Sequence, residues 1–190
     1  RMLSGMTVPA LRAAALAALL VLGPPVALAG ERDVRQLLDG VRTLGTTGVP
    51  GRISVFGASA DPVLVGQAGT DLRAPIVAAG SAGAARLVAF AHNGWFGAAL
   101  DRGDGWRLLE NALRWASKKA RGKVRVGVLD GTELVTALQE RGFDAEVVRG
   151  LGRLEESPAI DVLCGGLRDW KPDEVARLER WLAAGHGIVG

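Results

Sequence analysis

The second half of the chain alternates between two hydrophobic patterns, and this alternation restricts the fold more than any other feature. Residues 105–119, GWRLLENALRWASKK, place apolar side chains on one helical face, whereas residues 124–130, VRVGVLD, form a short apolar run typical of a buried strand. Strand and helix patterns then follow one another as far as HGIVG at residues 186–190. Strands separated by helices are typical of a parallel sheet with right-handed crossovers. The pattern predicts an α/β domain.

The region between residues 52 and 92 has a different pattern. Four short apolar runs are separated by turn residues, and the spacers are too short to contain helices, so we expect antiparallel strands. The segment GSAGAAR, from Gly80 to Arg86, predicts a hairpin, since it lacks the Gly-Lys-Ser/Thr ending of a phosphate-binding loop. The parallel sheet should therefore carry an antiparallel extension in its first half. The four runs are RISVFG, PVLVG, PIVAAG and RLVAFAH.

The first 29 residues have the composition of a secretory signal peptide. Arg1 and Arg12 are basic, the run from Ala13 to Leu22 is apolar, and Ala27-Leu28-Ala29 matches the A-x-A pattern of a cleavage site. The apolar run is shorter than the ~20 residues of a membrane-spanning helix. We therefore expect cleavage after Ala29 and no membrane association afterwards. The mature chain should be exported and be secreted, periplasmic or attached to the cell surface.

Residues 30–47 predict an N-terminal helix, because apolar residues recur at helical spacing from Val34 to Leu44. At the other end of the chain, Gly190 interrupts the last strand pattern. A buried parallel strand is an unusual terminus, so we expect the α/β domain to continue in a longer protein. The sequence thus predicts three parts: a signal peptide at 1–29, a helix at 30–47 and an α/β domain at 48–190.

Charge and cysteine content exclude several classes of protein. Signal cleavage removes Arg1 and Arg12, two of the positive charges behind the formal net charge of +3, and the remaining charges are mixed in sign. The chain therefore has no basic tract that would predict nucleic-acid binding. Cys164 is the only cysteine, so an exported form has no internal disulfide framework.

Polar and aromatic residues follow two of the predicted strands. The run LVAFAHNGWFG, Leu87–Gly97, ends in His92, Asn93 and Trp95, and the strand VRVGVLD ends in Asp130. Ligands bind beyond the carboxyl ends of strands in open α/β sheets, so these four residues are candidate ligand-binding groups. Alternatively, the ring of His92 bonds a backbone carbonyl and closes the strand end. No second metal-binding residue stands at metal-ligand spacing from His92, so the sequence predicts no metal site. It also predicts no cofactor.

Cys164 follows another strand pattern and allows two interpretations. It is a candidate nucleophile, with His92 or His186 as the base, if a neighbour lowers its pKa. Alternatively it is a small buried residue, as free cysteines commonly are. The glycine-flanked elbow of an amidotransferase nucleophile is missing, because Val162 stands two positions before it. This favours the buried interpretation.

The five tryptophans divide by position. Trp106, Trp115 and Trp181 occur at helical spacing and predict core positions, while Trp95 and Trp170 lie in predicted loops. An exposed indole ring suits stacking against a sugar. Trp95 and Trp170 are therefore the candidates for a surface that binds a glycan.

Three short motifs occur in a fixed order along residues 48–190. They are Val49-Pro50-Gly51, Ala91-His92-Asn93-Gly94-Trp95 and Asn111-Ala112-Leu113-Arg114-Trp115. Together they resemble a module found beside enhancin-like, mucin-degrading metallopeptidase domains and in the TRP-channel-associated-factor family. The second half of the chain resembles the class I glutamine-amidotransferase-like fold of that module. The resemblance implies a three-layer flavodoxin- or amidotransferase-like domain.

The resemblance also implies that the peptidase activity belongs to a different domain from this one. The peptidase activity of such proteins belongs to a separate zinc domain with an H-E-x-x-H helix, and this sequence contains no H-E-x-x-H. We therefore expect a non-catalytic accessory module that binds a glycan or a protein, with a glycan or glycoprotein as partner, and that is joined to a C-terminal peptidase domain. Two alternatives stay open: an amidohydrolase or amidotransferase-like enzyme using Cys164, and a structural domain that only positions the missing peptidase domain.

Overall fold

The computed structural model describes residues 30–45, 51–68, 72–129, 131–154, 159–166 and 170–190. The predicted signal peptide and the candidate Asp130 lie outside these residues. Three strands follow the first helix, and from residue 105 onward helices and strands alternate, with short 3-10 turns at Asn93–Phe96 and Leu151–Arg153. In chain order the elements are α1 (Glu31–Leu37), β1 (Ala60–Ala68), β2 (Leu72–Ala82), β3 (Ala85–Phe90), α2 (Gly105–Ala116), β4 (Arg125–Leu129), α3 (Thr132–Glu140), β5 (Asp144–Val148), β6 (Val162–Cys164), α4 (Pro172–Ala183) and β7 (Gly187–Val189).

The strands form one seven-stranded sheet in the order β1-β2-β3-β7-β6-β4-β5. The pairs β1–β2 and β2–β3 are antiparallel, and every pair from β3 to β5 is parallel. The β2–β3 hairpin lies where GSAGAAR predicts it, and Gly83 turns the chain with a φ of +57°. The predicted α/β class with an antiparallel extension is confirmed.

Two apolar clusters on opposite faces of the sheet produce three layers. One cluster packs α1, α2 and α3 against the sheet, because the apolar residues of α2 recur every three or four positions and include the fully buried Leu113 and Trp115. The other cluster packs the 3-10 turn at 151–153 and α4 on the second face, around Leu163 and Trp181. None of the helices in the described ranges is long and apolar enough to cross a membrane.

Two predicted elements differ in the structure. The helix predicted over residues 30–47 ends at Leu37, and Gly40 then takes a left-handed φ of +73°. Beyond this turn, the side chain of Asp104 accepts hydrogen bonds from the backbone N–H groups of Arg42 and Thr43. The run RISVFG is not a strand. The N–H of Ile53 donates to the carbonyl of Pro75 at 2.9 Å, but proline has no N–H with which to continue such a ladder.

Candidate functional site

The carboxyl ends of the five parallel strands share one edge of the sheet. The chain leaves β4 towards β5 on one side, and it leaves β6 towards β7 on the other side. The connections therefore diverge between β4 and β6. Such a switch point opens a crevice at the carboxyl ends of the strands, and this is where ligands bind in open α/β sheets.

A cleft of about 360 Å³ lies at this switch point. Its walls come from the end of β4, the first turn of α3, the end of β6 and the 3-10 turn after β3. The side chain of Glu133 and the backbone of the first turn of α3 offer hydrogen-bond acceptors and donors, respectively. The lining residues are Phe96, Leu129, Gly131, Thr132, Glu133, Leu134, Gly165 and Gly166.

Two glycines keep the end of β6 free of side chains. Gly165 has a φ of +141°, and a Cβ there would lie 3.0 Å from the carbonyl oxygen of Leu129. A Cβ on Gly166 would lie 3.0 Å from Cγ of Asn93, whose side chain therefore covers this part of the cleft floor. Gly165 is buried and Gly166 is half-buried, so the end of β6 lies in close contact with β4 and Asn93 where a larger residue would not fit.

Asn93 lies beside Gly166 at the edge of the cleft. The exposed His92, which precedes it in the chain, bonds differently from the backbone-carbonyl interpretation. Its Nδ1 accepts a hydrogen bond from the backbone N–H of Gly94 at 2.8 Å and thereby caps the 3-10 turn. The expectation that the ring bonds a backbone carbonyl is wrong, because the neighbouring backbone group at this turn is an N–H. The side chain of His92 is exposed, so its other ring nitrogen faces solvent.

Trp95 does not lie on the surface. Its side chain is 4% exposed, and its ring centre lies 5.8 Å from that of Phe90. The prediction that Trp95 offers a face to a sugar is therefore wrong. The next residue, Phe96, lines the cleft instead and packs edge-on against Phe90. Neighbouring side chains of a 3-10 turn point in different directions, so only the packing decides which one is buried.

Cys164 lies on the sheet face covered by α2 and α3, not in the cleft. Its side chain is fully buried, and burial raises the pKa of the thiol far above its ordinary value. A thiol in this setting is held in its neutral, unreactive form. The second candidate base, His186, stacks on Trp181 with ring centres 4.4 Å apart. The structure contradicts the interpretation of Cys164 as a reactive nucleophile.

Two of the three tryptophans predicted for the core are buried. Trp115 and Trp181 are buried, whereas Trp106 is half-buried, and its Nε1 donates to Asp101 Oδ1 at 2.9 Å. The guanidinium group of Arg141 lies 3.7 Å from the centre of the Trp106 ring. The second loop candidate, Trp170, is half-buried against the cluster of α4.

In the described part of the chain, no three His, Cys, Asp or Glu side chains come together as metal ligands would. The sequence did not single out Phe96, Glu133, Gly165 and Gly166 as site residues. The glycines after β6 are a signal that the sequence does contain. Once the strand order is known, the rule that ligands bind at the switch point of an open α/β sheet identifies the ends of β4 and β6 as the site.

Comparisons with known proteins give a family and a fold. The family model TCAF_N, described as "TRPM8, N-terminal domain", matches residues 21–189. No curated protein matches the sequence. The structure is similar to that of IMPa from Pseudomonas aeruginosa in complex with an O-glycopeptide, with a TM-score of 0.57 and 16% identity over 83% of this chain.

A second similar structure is the IMPa metallopeptidase in complex with T-antigen, with a TM-score of 0.51 and 20% identity over 70% of this chain. The third, IMPa metallopeptidase from Pseudomonas aeruginosa, has the same TM-score and identity over 69% of this chain. The chain spans 19%, 16% and 15% of the lengths of the three solved chains, respectively. At these identities the likeness shows the fold.

Proposed function

Since this chain belongs to the family of the model TCAF_N, "TRPM8, N-terminal domain", we propose that it is a non-catalytic accessory domain of an exported protein related to enhancin-like metallopeptidases. The domain binds the glycan of a glycoprotein in the cleft between β4 and β6. A separate peptidase domain of the longer protein performs the cleavage. The similarity to a small part of a metallopeptidase supports this division.

The cleft carries this proposal. A sugar presents hydroxyl groups that both donate and accept hydrogen bonds, so its site needs both kinds of partner. The first turn of α3 supplies backbone N–H groups. Its N-cap residue is Gly131, so no capping side chain occupies these donors. Glu133 supplies acceptors, and the amide of Asn93 supplies both kinds beside Gly166.

Two further observations support a glycan as the ligand and binding as the role. Solved relatives of this fold are IMPa chains in complex with an O-glycopeptide and with T-antigen. The buried thiol of Cys164 argues against the cysteine-dependent alternative. We also propose the class I glutamine-amidotransferase-like arrangement for the part from β3 to β5, on the basis of its parallel strand order.

The test is a calorimetric titration of the purified protein with an O-glycopeptide. Gly166→Val places a side chain against Asn93 and fills the cleft, so we expect binding to fall at least ten-fold, a loss of about 1.4 kcal/mol. Ala183→Val is the control, because it introduces the same side chain at an exposed position at the end of α4. Equal affinity of both variants and the wild type would place the ligand elsewhere, and no binding by the wild type would refute the function.

A further inference from the structure

The cleft continues into a second cavity along α3. This cavity has a volume of about 410 Å³ and shares Phe96, Glu133 and Leu134 with the cleft. At its far end it reaches Trp106 and Arg141. The second cavity, which we name the α3 groove, therefore extends the cleft far enough to accommodate more of a chain-like ligand. Its described lining residues also include Gly97, Ala98, Leu100, Asp101, Ala137 and Glu140.

The indole ring of Trp106 is held in place in the α3 groove. Its Nε1 donates to Asp101 Oδ1, and the guanidinium group of Arg141 lies 3.7 Å from its ring centre. The orientation of the ring is therefore fixed before a ligand arrives. A wall ordered in advance lowers the entropic cost of binding. Arg141 covers one face of the ring, so the remaining exposed part of Trp106 and the ring of Phe96 give the groove two aromatic walls for the C–H groups of a sugar.

The charges of the α3 groove are unbalanced. Its described lining residues include the exposed acids Asp101, Glu133 and Glu140, but one cation, Arg141. That cation has other partners, because its Nη1 donates to the carbonyl of Ala137 at 3.1 Å and its Nε lies 3.8 Å from a carboxylate oxygen of Glu110. An anionic ligand would therefore meet carboxylates without a free counter-charge.

We propose that the α3 groove takes the uncharged sugars of an oligosaccharide and discriminates against sialylated or sulfated chains. Hydroxyl groups donate to the carboxylates of Glu133 and Glu140, whereas a carboxylate or sulfate on the ligand is repelled by them. This inference rests on the proposed function, since it specifies which glycans the same site accepts.

The experiment compares two probes on the whole purified protein by calorimetry. The probes are a neutral O-glycan disaccharide and the same disaccharide carrying one sialic acid. At low ionic strength we expect the neutral probe to bind about five-fold more tightly, and the difference to shrink in high salt, because salt screens exposed charges. The double variant Glu133→Gln/Glu140→Gln should lose most of this preference, since it leaves Asp101 as the acid among the described lining residues. Glu179→Gln, at an exposed position of α4, should keep the wild-type preference.

The variant Trp106→Ala tests the aromatic wall separately. It should weaken binding of the neutral probe about five- to ten-fold, while Trp106→Phe should retain most of the affinity. Circular dichroism establishes that each variant is folded. Equal affinity of the wild type for both probes, or tighter binding of the sialylated probe, would overturn this inference and leave glycan binding intact. A preference unchanged in the double variant would also overturn it. Binding of neither probe by the wild type would refute the proposed function as well.

Discussion

At the amino-terminal edge of the parallel strands, charged side chains tie neighbouring segments together, whereas at the carboxyl-terminal edge glycines and short polar side chains border a cleft. Asp161, which precedes β6, accepts hydrogen bonds from Lys119 Nζ at 2.7 Å and from the backbone N–H of Arg125 at 2.8 Å. Lys118 Nζ donates to the carbonyls of Ala84 and Gly185. These bonds join the hairpin, the end of α2 and the starts of three strands.

The carboxyl-terminal edge has few such ties among the described residues. The bond from Gly94 to the ring of His92 is local, and Gly165 and Gly166 carry no side chains. The difference shows how one sheet separates two tasks. Bonds that fix the strands lie at one edge, so the other edge is free to present backbone and loop groups to a ligand.

The first prediction asks whether the carboxyl-terminal edge is catalytic, and it has the largest expected effect. Cys164 ends β6 at this edge, but its side chain is buried and its pKa is raised by burial. We expect iodoacetamide to label the folded protein at least 100-fold more slowly than a free thiol, because the thiolate is the reactive form. Mass spectrometry of timed samples measures the rate.

The control for this labelling is the protein unfolded in guanidinium chloride, where Cys164 should react like a free thiol. Labelling of the folded protein at the rate of a free thiol or faster would contradict the comparison of the two edges. It would also restore the cysteine-dependent enzyme as a hypothesis.

The second prediction compares the stabilities of the two edges directly. Asp161→Ala removes an acceptor from Lys119 and from a strand N–H, so we expect the free energy of unfolding to fall by about 1–3 kcal/mol. Asn93→Ala, its counterpart in the exposed loop after β3, should change stability by no more than about 0.5 kcal/mol. Urea denaturation measures both, and equal losses would remove the distinction between the edges.

The third prediction extends the comparison to the N-terminal segment and has the smallest expected effect. The backbone N–H groups of Thr43 and Arg42 donate to Asp104 and lower the pKa of its carboxyl group. A carboxylate with a lowered pKa contributes stability above its unfolded pKa, and this contribution is lost as pH falls through the folded pKa. Asp104→Ala should therefore lower the Tm by about 2 °C at pH 7, and this difference should vanish well below pH 4.

Differential scanning calorimetry across this pH range measures the effect of Asp104→Ala. Glu146→Ala, at an exposed position of β5, is the control and should show a smaller difference at pH 7. A deficit of Asp104→Ala that persists at pH 2 would mean that Asp104 does not act through its charged form.

Local sequence patterns predicted most of the elements. The helix of residues 105–119 and the strands from VRVGVLD onward are found where their apolar spacing places them, because residues buried on one face must recur with the period of the element. The motifs ending in Trp95 and Trp115 predicted a relation to the TRP-channel-associated-factor family, which is confirmed. The early end of α1 was missed, because the partner that holds the backbone at Arg42 and Thr43 is Asp104, 62 and 61 residues away.

The residues that form the candidate site depended more on tertiary structure than the α/β class of the fold did. The sequence by itself determined that polar groups follow β3, that glycines follow β6 and that the class is α/β, since periodicity and turn chemistry are local properties. Only the tertiary structure decided the strand order, and therefore that the ends of β4 and β6 border one cleft. It also decided that Trp95 is buried while Phe96 and Trp106 line the cleft and the α3 groove, because side-chain burial depends on neighbours that are distant along the chain.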